Sequence, residues 1–166
     1  MVLSVVIAIN TIRASRERVF DAWTKSRGAP RRRHLSRAAF AADPDNAPAW
    51  YVNITSVEWE SEPALRVGSR VAFVARFLGR RLAYTYEIVA YEPAVRLVMR
   101  TSESPFPMET SYEWRALQPA RTEMTLRNRG APRGFSKVVQ PFVAAAMRYA
   151  NRNDLAQLKL LLEREH

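Results

Sequence analysis

The stretch that decides the fold is SRVAFVARFLGRRLAYTYEIVAYEPAVRLVMR, residues 69–100, in which apolar and polar residues alternate. Alternation with a period of two is typical of β-strands that bury one face. Three strands are predicted here: 69–78, 81–91 and 95–101. The tight turns between them, at Gly79-Arg80 and at Glu92-Pro93-Ala94, predict that neighbouring strands pair antiparallel.

The same alternation continues on both sides of this stretch. Four further strands are predicted, at 2–11, 50–60, 108–117 and 121–129. Two short helices are predicted after the first strand, one from Ser15 to about Lys25 and one around 35–42. The turn-forming residues 43–48 end the second helix. Consecutive strands with the helices kept apart from them predict the α+β class.

The last element is a long helix, predicted from about Gly134 to Arg164. Pro141 lies early in it, where it either occupies the first turn or kinks the helix. The apolar residues recur at helical spacing and form one stripe: Val139, Val143, Met147, Ala150, Leu155, Leu158 and Leu162. Because a twisted antiparallel sheet has one face to bury, we expect a curved sheet of about seven strands wrapped around this helix. Residues 1–166 are predicted to form a single domain.

The composition excludes several classes of protein. The chain has no cysteine, so disulfides, cysteine-ligated metals and cysteine nucleophiles are excluded. No apolar run approaches the roughly 18 residues that cross a bilayer. The apolar segment 2–9 lacks the basic start and the cleavage site of a signal peptide. We therefore expect a cytoplasmic protein without a transmembrane segment, either a monomer or a homodimer.

The net charge of +10 raises the hypothesis of a polyanionic partner. The arginines are spread over every segment, however, which favours a solvated surface of biased composition. The densest run, Arg31-Arg32-Arg33, has no aromatic residues between its arginines of the kind that a base-stacking surface uses. Nucleic acid is therefore not the expected partner, while an acidic protein or an anionic membrane remains an alternative.

Four pieces of the sequence resemble the START-related SRPBCC superfamily, whose fold is called helix-grip. They are ASRERVFDAW at 14–23, VGS at 67–69, YEIVAYEP at 86–93 and LAQLK at 155–159. The order of predicted elements is similar to this fold over almost the whole chain, most of all to the polyketide cyclase/dehydrase group. The piece at 19–23 is also similar to the Aha-type co-chaperone branch. The resemblance implies a cavity between the sheet and the long helix that binds lipids, sterols, polyketides or hormones.

The inner face of the predicted sheet is richer in aromatic and adaptable side chains than a packed core requires. Buried tyrosine and tryptophan side chains need hydrogen-bond partners, and methionine adapts to many ligands. We therefore expect a pocket for a small hydrophobic molecule, aromatic or polycyclic, although a filled core is the competing interpretation. The candidate ligand-binding residues are Phe73, Phe77, Tyr84, Tyr86, Met99, Thr110, Tyr112, Trp114, Met124, Phe142 and Met147. Tyr149 is assigned to the same side of the helix.

Catalytic chemistry has little support in the sequence. No glycine-rich phosphate loop, HExxH or GxSxG motif occurs, and no cofactor or metal is predicted. His34 follows three arginines, which favour its neutral form, and no acid is positioned to orient it. His166 is the terminal residue. If the pocket catalyses a cyclisation or dehydration, the expected groups are tyrosine hydroxyls that polarise a carbonyl oxygen: Tyr84, Tyr86 and Tyr112.

The charged residues of the strands fall on the phase opposite to these candidates. The acids there are Glu87, Glu109, Glu113 and Glu123. We expect them to face solvent and to pair with strand arginines: Arg81, Arg115, Arg121 and Arg127.

Overall fold

The computed structural model describes residues 3–12, 37–77, 79–103, 107–118, 121–130 and 140–163. Seven strands are present: β1 (Leu3–Ile12), β2 (Ile54–Trp59), β3 (Arg70–Phe77), β4 (Arg80–Glu92), β5 (Arg96–Glu103), β6 (Met108–Gln118) and β7 (Arg121–Gly130). The helices are α1 (Arg37–Ala42), α2 (Ala47–Trp50) and α3 (Gln140–Glu163), with a 3-10 turn at Pro44–Asn46.

The seven strands form one antiparallel sheet in the order β1-β7-β6-β5-β4-β3-β2. From β2 to β7 each strand lies beside its neighbour in the chain, as the short turns predict. β1 pairs with β7, with Leu3 opposite Gly130. In the β3–β4 turn, Gly79 adopts φ 76°, a conformation that costs glycine nothing and other residues a steric penalty. The predicted α+β class and helix-grip architecture are confirmed.

The C-terminal helix packs its leucines into the apolar cluster of the sheet. Leu155, Leu158 and Leu162 are buried in one cluster with inner-face residues such as Ile88. Burying a leucine fully contributes roughly 1.5–3 kcal/mol, so these side chains hold helix and sheet together. Pro141 lies in the first turn of α3 as the structure describes it, where its missing N–H has no intrahelical partner to lose.

The segment between β1 and β2 departs in part from the prediction. The second predicted helix is confirmed as α1, whereas the predicted helix at 15–25 lies outside the described residues. The assignment of Trp50 to a strand was wrong, since this residue ends α2 and its side chain is 1% exposed. The reason is local: Pro48 lies in the first turn of α2, where its fixed φ favours helix, and α2 directly follows the 3-10 turn that Asp43 caps by accepting a hydrogen bond from the Asp45 N–H.

The outer face of the sheet carries rows of alternating charge. In one row, aligned residues of β3 to β7 are Arg70, Glu87, Arg100, Glu109 and Arg129. The ion pairs across the outer face are Arg70–Glu60 at 3.1 Å, Arg100–Glu109 at 2.8 Å, Arg129–Glu109 at 3.8 Å and Arg115–Glu123 at 2.8 Å. The predicted pairing of outward glutamates with strand arginines is therefore confirmed for Glu123 with Arg115, whereas Glu109 pairs with Arg100 and Arg129, which were not among the predicted partners.

Candidate functional site

Most of the predicted ligand-binding residues lie together on the buried inner face of the sheet. Seven of them are buried: Phe73, Tyr86, Met99, Thr110, Tyr112, Trp114 and Met124. Tyr84 is partly buried and packs against their cluster, and Met147 on α3 is partly buried. The side chains of Phe77 and Phe142 lie outside the description. The predicted phase of these strands is thus correct.

One residue assigned to the inner side of the long helix is on its outer side. Tyr149 is 70% exposed. Its position follows from helical geometry, because two residues beyond Met147 the side chain has turned by about 200°. The basic run Arg31–Arg33, His34 and His166 lie outside the described residues.

The inner aromatic rings form two adjoining groups. In the first, Phe73 stacks on Tyr84 with ring centroids 5.8 Å apart, and Tyr84 meets Tyr86 edge-on at 5.2 Å. In the second, Trp50 meets Tyr112 edge-on at 6.1 Å, and Tyr112 meets Trp114 in the same way at 5.8 Å. Such rings offer flat apolar surface together with polar edges.

A chain of hydrogen bonds crosses the interior from β4 to the C-terminal helix. The Thr110 hydroxyl donates to Asn128 Oδ1 at 2.5 Å, so the Tyr86 hydroxyl, 2.8 Å from Thr110 Oγ1, is the donor of that pair. Asn128 Nδ2 then donates to Asn151 Oδ1 at 2.9 Å. These three hydrogen bonds run in one direction, from β4 through β6 and β7 to α3.

A second polar group surrounds Asp154 of α3, which is 3% exposed. Its Oδ1 accepts a hydrogen bond from the Val52 N–H at 2.9 Å. Beside Val52, the Tyr51 hydroxyl lies 2.6 Å from the Tyr112 hydroxyl. Burial raises the pKa of Asp154 to about 6, although the bond from Val52 lowers it. An acid with this pKa changes its charge close to neutral pH.

The tyrosine hydroxyls of the interior remain protonated at neutral pH. Burial raises the pKa of Tyr86 to about 12 and is the main cause of the higher pKa of Tyr51, Tyr84 and Tyr112. The charge of Asp154 adds to this rise for Tyr51, Tyr84 and Tyr112. These groups therefore act as hydrogen-bond donors rather than as anions.

Several donors of the interior have no acceptor. The indole N–H groups of Trp50 and Trp114 are buried without a hydrogen-bond partner. The Tyr51–Tyr112 pair has two hydroxyl hydrogens, and the bond between them uses one. Unpaired buried donors are rare in folded proteins and call for a bound water or ligand. Among the described residues, these particular donors therefore lack an acceptor within reach.

One cavity bounded by described residues adjoins these groups. Its volume is about 10 Å³, which is room for one water molecule. The lining residues are Ala41, Ala42, Asp43, Pro44, Ala47, Trp50, Phe73, Met99 and Tyr112. Trp50 and Tyr112, which belong to the polar and aromatic groups described above, both line this cavity.

The sequence analysis missed five residues of this site: Trp50, Tyr51, Asn128, Asn151 and Asp154. Helical spacing carried a signal for two of them, since Asn151 and Asp154 each lie four residues before a buried leucine. Asn128 likewise continues the inward phase of Met124 and Leu126 along β7. Because these residues are polar, hydropathy alone assigns them to the solvent-exposed face. Their burial is explained only by hydrogen-bond partners that lie far away in the sequence.

The fold and this interior define a helix-grip protein with an aromatic inner face, and comparison with known families agrees. Residues 38–163, more than half of the chain, match the family model described as polyketide cyclase / dehydrase and lipid transport. The chain belongs to this family, and the suspected superfamily is confirmed. No curated protein sequence matches the chain.

Solved structures share the fold at low sequence identity. The chain is similar to the Zhui aromatase/cyclase from Streptomyces sp. R1128 (16% identity, TM-score 0.70, 96% of this chain and 93% of that one). It is also similar to a START superfamily protein from Mycobacterium smegmatis (13%, 0.70, 98% and 99%). A third is the protein TTHA0849 from Thermus thermophilus (18%, 0.69, 96% and 97%).

The described helices include none with the length and apolarity needed to span a bilayer.

Proposed function

We propose that this protein binds a small, largely apolar molecule, aromatic or polycyclic, between the inner face of the sheet and α3, and that the molecule carries hydrogen-bond acceptors. The observation that supports the proposal best is the set of unpaired donors among buried aromatic rings. The indole N–H groups of Trp50 and Trp114 have no partner. The cavity bounded by described residues has room for only one water, so the inner face and α3 must move apart to admit a flat apolar frame. A carbonyl oxygen on that frame then supplies the missing acceptor while the rings pack against it.

The ligand-binding residues that we propose have three roles. The apolar walls are Phe73, Phe77, Met99, Met124, Phe142 and Met147. The hydroxyl donors to the ligand are Tyr84 and Tyr112, and Trp114 supplies an indole donor. Tyr86 and Thr110 line the site with hydroxyls that already donate within the protein. Asp154, which the sequence analysis did not include, serves as the acceptor for any ligand group that donates.

The proposal is tested with two ligands that differ only in an acceptor. Fluorenone and fluorene share a flat tricyclic frame, and fluorenone adds one carbonyl. Because one neutral hydrogen bond contributes about 1 kcal/mol net, we expect fluorenone to bind several-fold to about tenfold more tightly. Equilibrium dialysis with mass-spectrometric quantification measures both dissociation constants. Equal affinities would contradict the role of the donors, and binding of neither compound would contradict the proposal.

A variant of one indole sharpens this test. Trp114→Phe keeps an aromatic ring and removes the N–H group, so fluorenone should lose most of its advantage while fluorene binds as before. The matched control is Trp59→Phe, because the Trp59 indole already donates to Asp45 at 2.8 Å on an exposed part of the surface. If both variants change the preference equally, Trp114 is not the donor.

A cyclase or dehydrase of the polyketide type is the second candidate function. It is favoured by the raised pKa values of Tyr84, Tyr86 and Tyr112, whose protonated hydroxyls can polarise a carbonyl oxygen. Turnover separates the two functions: incubation with a linear polycarbonyl compound yields a product lighter by one water only if the protein catalyses a condensation. An unchanged compound that remains bound supports the binding function alone.

The proposal also covers the extent of the domain, its compartment, its assembly and its need for a cofactor. We propose a single domain over residues 1–166 that works in the cytoplasm as a monomer or homodimer, without a cofactor. A role as an interaction module, with the run Arg31–Arg33 against an acidic partner or membrane, is the remaining alternative. Its affinity would fall steeply with salt, whereas binding of an apolar ligand would not.

A further inference from the structure

The hairpin of β3 and β4 extends past both of its neighbours in the sheet. β2 pairs with β3 as far as Ala75, and the Arg76 N–H still donates to the Asn53 carbonyl at 2.8 Å. β5 pairs with β4 only from Thr85 onward. Residues 80–84 of β4 therefore have β3 on one side and, among the described strands, none on the other. We call residues 76, 77 and 79–84 the arm. An open strand edge presents unpaired N–H and C=O groups that can pair with another extended chain.

The arm concentrates positive charge that nothing in the described chain neutralises. Arg76 lies directly opposite Arg81 in the β3–β4 ladder, and both side chains are exposed. Arg80, also exposed, follows at the turn. Like charges placed opposite each other on neighbouring strands are destabilising. No described acidic side chain forms an ion pair with these three arginines.

The Arg76–Arg81 pair differs from the rest of the outer face, where positive and negative charges alternate. Further along the same two strands, Arg70 lies opposite Glu87, and the row continues with alternating charge to β7. Between that row and the Arg76–Arg81 pair the outer face carries small uncharged residues, including Val74 opposite Ala83. Among the described residues, the arm thus has an open strand edge on β4, small uncharged side chains beside it and an unneutralised arginine pair.

We propose that the arm docks an extended acidic segment of another protein. The segment adds a strand to the open edge of β4, which gives main-chain hydrogen bonds without regard to sequence. Its carboxylates lie against Arg76 and Arg81 on the outer phase, whose planar guanidinium groups suit bidentate contact with carboxylates. Arg80, opposite Phe77 in the ladder, is on the other phase and adds positive charge at the turn. Phe77 and Tyr84 of the arm are on the inner phase and belong to the proposed ligand site, whereas Arg76 and Arg81 are on the outer phase, so binding of the acidic segment is measured separately from binding of the apolar ligand.

Two other occupants fit the arm less well. A second copy of the chain would bring one arginine cluster against another, which repels. A bilayer requires apolar side chains to enter it, and the platform beside the arginines offers only the small side chains of Val74 and Ala83. The arginines could instead serve only to prevent edge-to-edge aggregation, a known use of charged residues on open strands.

The experiment uses a labelled ten-residue peptide of alternating glutamate and threonine, and the same peptide with glutamine for glutamate. Fluorescence anisotropy at low salt should show binding of the glutamate peptide and little binding of the glutamine peptide. The variant R76E/R81E should weaken the glutamate peptide about tenfold or more. The control R148E/R152E makes the same change of net charge at two exposed positions of α3 and should alter the affinity by no more than about twofold.

Each outcome decides the proposal. Equal losses in both variants would show that the peptide follows net charge alone, which overturns it. Wild-type protein that does not bind the glutamate peptide also overturns it and leaves the aggregation-blocking role. Binding to vesicles with about one third anionic phospholipid, without peptide binding, assigns the arm to a membrane instead. R76E/R81E must retain the circular dichroism spectrum and the thermal unfolding midpoint of the wild type for a loss to count in favour.

Discussion

The two faces of this sheet carry polar groups on the same strands, at neighbouring positions, with opposite consequences. Glu109 faces outward and pairs with the exposed Arg100, whereas the next residue, Thr110, faces inward and links Tyr86 to Asn128. An exposed ion pair contributes 0–1 kcal/mol, roughly, because water and salt screen it. A buried hydroxyl whose partner is removed costs more, since nothing replaces the lost bond. Burial, rather than formal charge, therefore decides what a polar residue contributes here.

The largest effect predicted by this comparison concerns the buried acid. The pKa of Asp154 is about 6 in the folded protein and 3.8 in its ordinary state, so the fold holds this proton more tightly than the unfolded chain. The contribution of Asp154 to stability is therefore most favourable below pH 4 and declines as the pH rises to about 6. The whole decline is up to about 3 kcal/mol.

Urea denaturation of wild type and Asp154→Asn between pH 4 and pH 7 measures this decline. The difference in unfolding free energy between the two proteins should change over that window, because asparagine does not titrate. The matched control is Glu163→Gln in the last turn of the same helix. If the curves of wild type and Asp154→Asn stay parallel, the environment assigned to Asp154 is wrong.

The second effect concerns the hydrogen-bond chain across the interior. Thr110→Val keeps the shape of the side chain but leaves the Tyr86 hydroxyl and Asn128 Oδ1 without their partner. We expect a loss of about 2 kcal/mol in unfolding free energy, measured by urea denaturation. Thr125→Val, on the outer phase of β7, should change stability by less than about 0.5 kcal/mol. Equal losses of unfolding free energy for Thr110→Val and Thr125→Val would show that polar residues contribute alike on the two faces of the sheet.

The smallest effect belongs to an outer ion pair. Arg115→Gln removes the partner of Glu123, and the expected loss is below about 1 kcal/mol and disappears in high salt. Arg127→Gln is the control, because Arg127 forms no ion pair within the described chain. Thermal unfolding at low and at high salt measures both. If Arg115→Gln lowers the unfolding free energy more than Thr110→Val does, the outer ion pair contributes more than the buried hydroxyl, contrary to this prediction.

The sequence predicted those parts of the fold that depend on the alternation of residues. Thr110, Tyr112 and Trp114 were assigned to the inner face because they share a period of two, and all three are buried. Trp50 was wrongly assigned to a strand, because Pro48 in the first turn of α2 and the preceding 3-10 turn outweigh the β-preference of the segment.

The polar residues of the site that the sequence analysis missed were missed for a different physical reason. Asn151 and Asp154 interrupt an apolar stripe, and a pattern of hydropathy alone assigns such residues to solvent. Their burial is stabilised by Asn128 and by the Val52 N–H, partners far away in the chain. No local pattern contains that information, because the partners meet only after the sheet has formed around the helix.

The hydrogen bond between Asn128 and Asn151 also fixes where the long helix stops along the sheet. Leucines at helical spacing are interchangeable, so the apolar stripe of α3 alone would tolerate a slip by one turn, about 5.4 Å. Such a slip would bring Met147 or Leu155 opposite Asn128, and neither side chain can accept its proton as an amide does. The bond from Asn128 to Asn151 therefore selects one register of α3 on the sheet. The apolar interface alone, with its repeated leucines, would not select a single register.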